Sequence, residues 1–315
     1  MALPKVMALR ATLLYLSHHR GLRAWAERSG IARRVSSRFI AGKTLDDALA
    51  VCRRIRGEGI SATLDYLGEN VKSLEEAAAC RDMCIRALHA LHEAGLEPNV
   101  SLKLTQFGID FSLEACEANV TVLVQEAAAI GGFVRIDMEG SDYTDRTLEL
   151  VRRIHRRHGA CGTVIQAYLH RSVKDMSALI VEGIRIRLCK GAYLEPPEIA
   201  FAKKADVDSH YLKLAHQLLD ATQTQPNYFP AIATHDERII DRLERFVTNS
   251  GVSRDGFEFQ MLYGIRRDLQ KRLIAEGYRM RLYVPFGEAW FPYFMRRLAE
   301  RPANLLFLMR NLLRH

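Results

Sequence analysis

The chain has 315 residues, 48% of them apolar and 26% charged, with a formal net charge of +8. That length can bury one large barrel core or two medium ones, and the composition is that of an ordinary soluble globular protein. No apolar run reaches the roughly 18–20 residues of a membrane span, and no lysine tract interleaved with aromatics points to nucleic acid.

The basic excess is concentrated at the start, where residues 1–44 carry many Lys and Arg against one acid, Glu27. An Arg-rich, acid-poor leader would look similar. The segment lacks serine richness, however, and Leu9, Leu13, Leu14 and Leu16, then Leu22, Trp25 and Ile31, are spaced for packed helices. The expectation is an N-terminal helical segment, residues 1–57, packing on a catalytic domain that spans 58–315. Thr44 should cap the last of these helices, which stops at Gly57 and Gly59.

Beyond it, apolar runs of strand length alternate with amphipathic stretches of helix length. Strands are expected at 61–66, 99–104, 133–138, 163–168, 184–188, 228–233, 257–261 and 280–284. Helices are expected at 73–94, 113–129, 144–158, 172–182, 207–221, 237–250 and 269–276. Eight strands with helices between them predict an α/β fold, a closed (β/α)8 barrel preceded by N-terminal helices. The competing open sheet would carry a glycine-rich dinucleotide turn after its first strand, and no G-x-G-x-x-G occurs in the chain.

The six cysteines, Cys52, Cys80, Cys84, Cys116, Cys161 and Cys189, form no Cys-x-x-Cys pair and read as core thiols of a reducing cytoplasm. The sequons at Asn99 and Asn119 are then chance matches. His170, His210 and His235 lack ligand spacing, so no metal site is expected.

In a barrel of this kind, chemistry sits where strands end and loops begin. The strand ends supply Lys103; Asp137, Met138 and Glu139; Gln166 and Tyr168; Arg187; Lys190, Gly191, Ala192 and Tyr193; Thr234 and His235; Glu258, Gln260 and Leu262; and Tyr283. Alternation in IRIRL gives Arg185 and Arg187 the same facing. An arginine inside a barrel mouth is costly unless paired, and Asp137 is the candidate partner. The Lys190–Gly191 pair, a compact cation beside a residue that lets backbone approach closely, suits phosphate or a flat ring. Lys103 or Lys190 would equally suit a Schiff-base aldolase on this fold.

The most informative stretch is 279–302, RMRLYVPFGEAWFPYFMRRLAERP. It reads as a strand that breaks at Pro285 and Gly287, then a helix opened by Pro292 and stopped before Pro302. Tyr293, Arg296, Arg297 and Glu300 fall on one face of that helix. Two adjacent guanidinium forks suit a small carboxylate; the alternative is a solvated face with an internal Arg297–Glu300 pair.

Taken together, the strings RFIAG (38–42), SLKLTQ (101–106), RIDMEG (135–140), QAYL (166–169), RLCKGAY (187–193), ATHDE (233–237), FEFQMLYG (257–264) and RLYVPFGEAWFPYFMRRLAERPAN (281–304) closely resemble the flavin-dependent proline dehydrogenase family. They run through nearly the whole chain in the family's order, and the last is highly specific.

The resemblance implies oxidation of L-proline to Δ1-pyrroline-5-carboxylate by hydride transfer from C5 to flavin N5, with FAD as cofactor. By it, Arg296, Arg297 and Lys103 clamp the proline carboxylate, Tyr283 and Tyr293 shape the pocket, and Leu262 packs on the pyrrolidine ring. Asp137 and Arg187 form the catalytic polar pair beside the flavin. Met138, Gln166, Lys190, Gly191, Ala192, Thr234 and His235 hold FAD, and Glu300 pairs with the cationic cluster at the cofactor. Cys189 departs from the family's usual valine, a small-for-small change. The resemblance leaves open whether Lys203 or Lys204 reaches the adenosine part.

It further implies a quinone as electron acceptor, a separate pyrroline-5-carboxylate dehydrogenase downstream, and a cytoplasmic protein with peripheral contact to the inner face of the membrane. The basic N-terminal helices or residues 305–313 would provide that contact, unless they pack on the barrel.

Overall fold

The computed structural model describes Gly21, Ser29 and residues 36–68, 71–225 and 227–300, the last five by backbone alone. The helices expected within residues 1–35 and the 305–313 segment lie outside the described residues.

The first helix described in full, α1 (Leu45–Gly57), begins where expected. The Thr44 hydroxyl accepts the Asp47 N–H while the Asp47 carboxylate accepts the Thr44 N–H, satisfying two orphan donors reciprocally. Eight parallel strands follow: β1 (Ser61–Tyr66), β2 (Asn99–Leu102), β3 (Phe133–Ile136), β4 (Cys161–Gln166), β5 (Arg185–Cys189), β6 (Ala231–Ala233), β7 (Glu258–Leu262) and β8 (Arg279–Phe286). They close into a barrel in sequence order, with Ser61 opposite Arg281 and Tyr66 opposite Phe286 at the seam. The connecting helices are α2 (Leu74–Glu93), α3 (Leu113–Ala129), α4 (Thr144–His158), α5 (Ser172–Val181), α6 (Lys204–Thr224), α7 (Glu237–Ser250) and α8 (Arg267–Ala275); α9 (Trp290–Glu300) follows β8.

Helix amphipathicity explains the outer ring. On α7, Ile239, Ile240, Leu243 and Val247 form one buried stripe, and on α4 Leu148, Val151 and Ile154 do the same beneath an arginine-rich outer face. Both helices end at a left-handed glycine, Gly251 and Gly159. α1 packs against β1 and β8, the slot that an eighth peripheral helix would take. α9 is then free to pack elsewhere. Its Phe294 meets Phe39 at 6.1 Å between centroids. Phe39 belongs to segment 36–42, which is tied to the end of β8 through Ala41 N–H to the Pro285 carbonyl and Gly287 N–H to the Gly42 carbonyl.

Several boundaries differ from expectation. β8 runs through Pro285 rather than breaking there, because a proline at a strand's end still offers its carbonyl, which Ala41 takes. α9 starts at Trp290, two residues before Pro292, which sits in the first turn where no N–H is needed. β6 starts only after Pro230, and β4 lies two residues earlier than expected.

The barrel interior is polar through its depth. At its lower level Arg281 binds Glu258 at 2.8 and 3.0 Å, Glu97 at 2.6 and 2.8 Å, and the Ala62 carbonyl at 2.7 Å. Arg135 donates to the Thr163 and Arg185 carbonyls. A side chain at Gly162 would strike the Arg185 carbonyl and the Arg135 guanidinium, so glycine makes the room Arg135 fills. Glu258, expected at the mouth, is the first residue of β7 and belongs to this lower level. Counting along the strand puts it about four residues from the rim.

Candidate active site

Above that level, side chains from six strands or strand ends converge. Arg187 on β5 is buried, 6% exposed, and its planar guanidinium is held on three sides. Nε donates to Gln260 Oε1 at 2.6 Å, Nη1 to Asp137 Oδ1 at 2.8 Å and Nη2 to Ser101 Oγ at 3.2 Å. The guanidinium lies over the Tyr283 ring, 5.2 Å from its centroid. The expected Asp137–Arg187 pair is therefore present, and it meets the condition under which a buried charge is tolerable.

The phenol of Tyr283 donates to the other oxygen of Asp137 at 2.8 Å. Burial, reinforced by the Asp137 and Asp65 charges, pushes this phenol well above its ordinary pKa, so it remains a neutral donor. Lys103, directly after β2, places its ammonium 3.4 Å from the Tyr283 hydroxyl and 3.4 and 3.5 Å from the two oxygens of Asp65. Burial works against the Lys103 charge. Asp65, then Asp137, Tyr193 and Glu139, outweigh it and hold the ammonium above the usual lysine range. A Schiff-base lysine needs the opposite shift, which removes the aldolase reading for Lys103. Lys190 is no better suited, since Asp208 and Asp236 bind it at 2.5 and 2.8 Å.

The opposite side of the mouth, built by β3 to β6, has a different character. Gln166 donates to the Glu139 carbonyl at 2.8 Å, and Glu139 is itself fixed by the Thr105 N–H and hydroxyl. Met138 is buried beside them. Lys190 and Lys204 share Asp208 and Asp236, so Lys204 rather than Lys203 joins this cluster of two cations and two carboxylates near the start of α6. Gly191 has φ +117°, and a Cβ there would collide with the Tyr168 ring. Only glycine lets the chain press this closely on Tyr168 while leaving its own backbone bare. Thr234 accepts the Asp236 N–H at 3.1 Å, and His235 Nε2 accepts the Leu262 N–H at 2.9 Å, which fixes the neutral ring as its Nδ1–H tautomer.

These residues fit an anionic dinucleotide with a planar ring. A bare backbone turn lies on one side, next to two lysines whose charges Asp208 and Asp236 balance, and a flat buried guanidinium lies at the centre. Ala192 follows that turn, and Leu262, half-buried, ends β7. Tyr293 is buried on α9. Arg296, Arg297 and Glu300 also lie on α9, and their side chains fall outside the described residues.

Asp65 was not anticipated from the sequence, nor was Ser101 as a partner of Arg187. Strand alternation carried the signal, since Asp65 shares the inward facing of Thr63 and sits one residue from the end of β1. A single acid at a strand end looks like a loop-closing group until its burial is known.

Residues 48–310 match the sequence profile of the proline dehydrogenase family. Proline dehydrogenase of Deinococcus radiodurans is 42% identical over 285 residues, which is 89% of this chain and 90% of that protein. Proline dehydrogenase 1 of Bacillus subtilis is 40% identical over 307 residues, 97% of this chain and 99% of that one. Among solved structures, proline utilization A from Bdellovibrio bacteriovorus, inactivated by N-propargylglycine, superposes with a TM-score of 0.79 at 27% identity. The match covers 85% of this chain but only 32% of that longer one. The barrel, the charged mouth and the length of these matches agree: the chain belongs to the proline dehydrogenase family, oxidoreductases that act on the CH–NH group of proline.

Proposed function

We propose that the chain is an FAD-dependent proline dehydrogenase whose mouth is divided between a carboxylate site and a flavin site. Proline dehydrogenases are generally flavoenzymes. The observation that carries this reading is the Lys103–Tyr283–Asp137–Arg187 chain of contacts, which ends on β5, the strand that leads into the Lys190–Gly191 turn. FAD would be held by Met138, Gln166, Lys190, Gly191, Ala192, Thr234, His235 and Arg187, with Glu300 bracing the cations. When bound, it supplies the acceptor for the hydride equivalent removed from the carbon beside the proline nitrogen.

The protein's own contributions follow from the contacts. Lys103 with Arg296 and Arg297 would bind the substrate carboxylate, converting a bimolecular encounter into an oriented one. Tyr283, Tyr293 and Leu262 would shape the space for the ring. Asp137 and Gln260 hold the Arg187 guanidinium, a fixed positive charge that would offset negative charge on a reduced flavin beside it. The amine must be deprotonated before its C–N bond is oxidised, and no side chain need bond covalently to substrate.

Electrons would pass to a quinone, and a separate enzyme would consume the pyrroline-5-carboxylate. Among the described residues no helix is long and apolar enough to cross a membrane. Meeting a membrane quinone would therefore call for peripheral contact.

Arg296→Met tests the carboxylate assignment. The KM for proline should rise about tenfold or more while bound flavin is retained, because one charge-assisted anchor is lost and the cofactor side is untouched. Loss of flavin with little change in KM would contradict it.

A further inference from the structure

We propose that Asp65 is a positioning residue for substrate capture: it draws the Lys103 ammonium away from Asp137 and holds it aimed at the incoming carboxylate. The inference rests on the proline-oxidising reading above and extends it to a residue that is buried beneath the mouth.

Asp65 has no solvent exposure. Taking a carboxylate out of water costs several kcal/mol unless partners compensate it. In the barrel wall those partners are few. Both of its oxygens face the Lys103 ammonium, and the Tyr283 hydroxyl is the further hydrogen-bonding group beside it. A residue kept under those conditions for stability alone should show the geometry of the lower level of the same barrel. There Arg281 binds Glu258 and Glu97 at 2.6–3.0 Å, with the guanidinium 6% exposed. The Asp65–Lys103 pair differs on both counts. It spans 3.4–3.5 Å, and the Lys103 side chain is 21% exposed, so it extends from a buried carboxylate towards the opening. Relaxed charge-assisted bonds are shorter than this by roughly half an ångström. The ammonium is shared rather than locked. Its bonds to described residues run to both oxygens of Asp65 and to Tyr283, all long, so a carboxylate arriving at the mouth can take over one of them.

The competitor for Lys103 is Asp137. After Asp65 it is the strongest influence favouring the Lys103 charge, and it already accepts from Tyr283, Arg187 and Ser101. Without Asp65, the ammonium would turn towards Asp137 and lose its aim at the incoming carboxylate, while Arg187 keeps its own contacts to Asp137, Gln260 and Ser101. Asp65 thus separates two functions that share one small space. Asp137 is reserved for Arg187 and Tyr283, while Lys103 is reserved for substrate. Among the described residues, the titratable groups facing Lys103 are Asp65 on β1, Cys84 on α2, Asp137 and Glu139 just after β3, Tyr193 in the β5–α6 connection and Tyr283 on β8. Asp65 is the largest favourable influence among them. Its removal therefore lowers the pH at which the ammonium deprotonates.

Two variants separate position from charge. The readouts are proline oxidation with a soluble dye as acceptor from pH 6.5 to 10, flavin content, and calorimetric binding of L-proline. Asp65→Ala should raise the KM and the dissociation constant about ten- to hundredfold with kcat changed less than about threefold and flavin retained. Asp65→Asn keeps an oxygen facing the ammonium, so at neutral pH it should recover most of that loss. Its kcat/KM should nonetheless fall at alkaline pH, about one pH unit or more below any such fall in the wild type. If Asp65→Ala does not fold, this alkaline shift in Asp65→Asn decides alone. Wild-type affinity and pH profile in Asp65→Asn would overturn the inference. So would a loss of kcat at unchanged KM, which would instead make Asp65 a proton acceptor. A wild-type protein that neither binds nor oxidises L-proline would refute the underlying functional reading, whereas wild-type binding left unchanged in both variants would refute the role of Asp65 alone.

Discussion

Arg187 shows how much one residue's setting decides. Its three hydrogen bonds radiate in the guanidinium plane to Gln260, Asp137 and Ser101, on three different strands. A lysine has a single ammonium that cannot reach all three from one position. Arg187→Lys should therefore retain the fold and the positive charge yet lower kcat by about 100-fold, the range typical for losing one preorganised electrostatic contact. Steady-state turnover and flavin content check this; turnover within threefold of wild type would show that charge alone suffices. The Asp137–Arg187 pair was legible in the sequence because an arginine facing into a barrel demands a partner and few acids stand at the strand ends. Asp65 was not, because nothing local distinguishes a buried acid in TLDY from a solvated one. Only closure of β1 onto β2 and β8 buries it and brings Lys103 to it. Lys203 and Lys204 were indistinguishable for a similar reason. The register of α6 sets them apart only in their pairing, by placing Lys204 one turn before Asp208.

At the scale of elements, the alternation of strand and helix was readable throughout, and α3, α4 and α7 begin and end where periodicity put them. What local pattern missed was tertiary in origin. Pro285 stays in β8 because the incoming segment supplies a partner for its carbonyl, and α1 takes a place beside β8 that sequence order would assign to the last helix.

The α7–α8 contact carries its own pH signature. Burial, then the neighbouring Glu276 carboxyl, raise Glu244 from its ordinary 4.5 to about 7, while Arg272 opposes them. The folded state thus holds more protons than the unfolded chain between these two values. Stability from this site is full below about 4.5 and is lost as pH rises through about 7. Glu244→Gln cannot ionise and should stabilise the protein at pH 8 relative to its effect at pH 5, by on the order of 1–2 kcal/mol. Denaturant midpoints at the two pH values test this, and an equal effect at both would contradict it.

Across the whole molecule, one polar network runs along the barrel axis. From Glu97 and Arg281 it passes to Glu258, then through Gln260, whose amide donates to Glu258 at 2.5 Å while its oxygen accepts from Arg187. From Arg187 it continues to Asp137, Tyr283, Lys103 and Asp65. The usual aliphatic filling of such a barrel is replaced by charges held in fixed directions, a design that favours preorganisation over maximal stability. The network ends between two chemically distinct rims, the Lys103–Asp65 side and the Lys190–Gly191 side, which the proposed function gives to a small carboxylate and to a flavin dinucleotide.

That division is tested most directly by the visible spectrum of the purified protein under anaerobic titration with L-proline. The account predicts a yellow protein whose flavin absorbance bleaches in proportion to proline added and returns when an acceptor is supplied. A colourless protein, or a yellow one whose spectrum proline leaves unchanged, would contradict it.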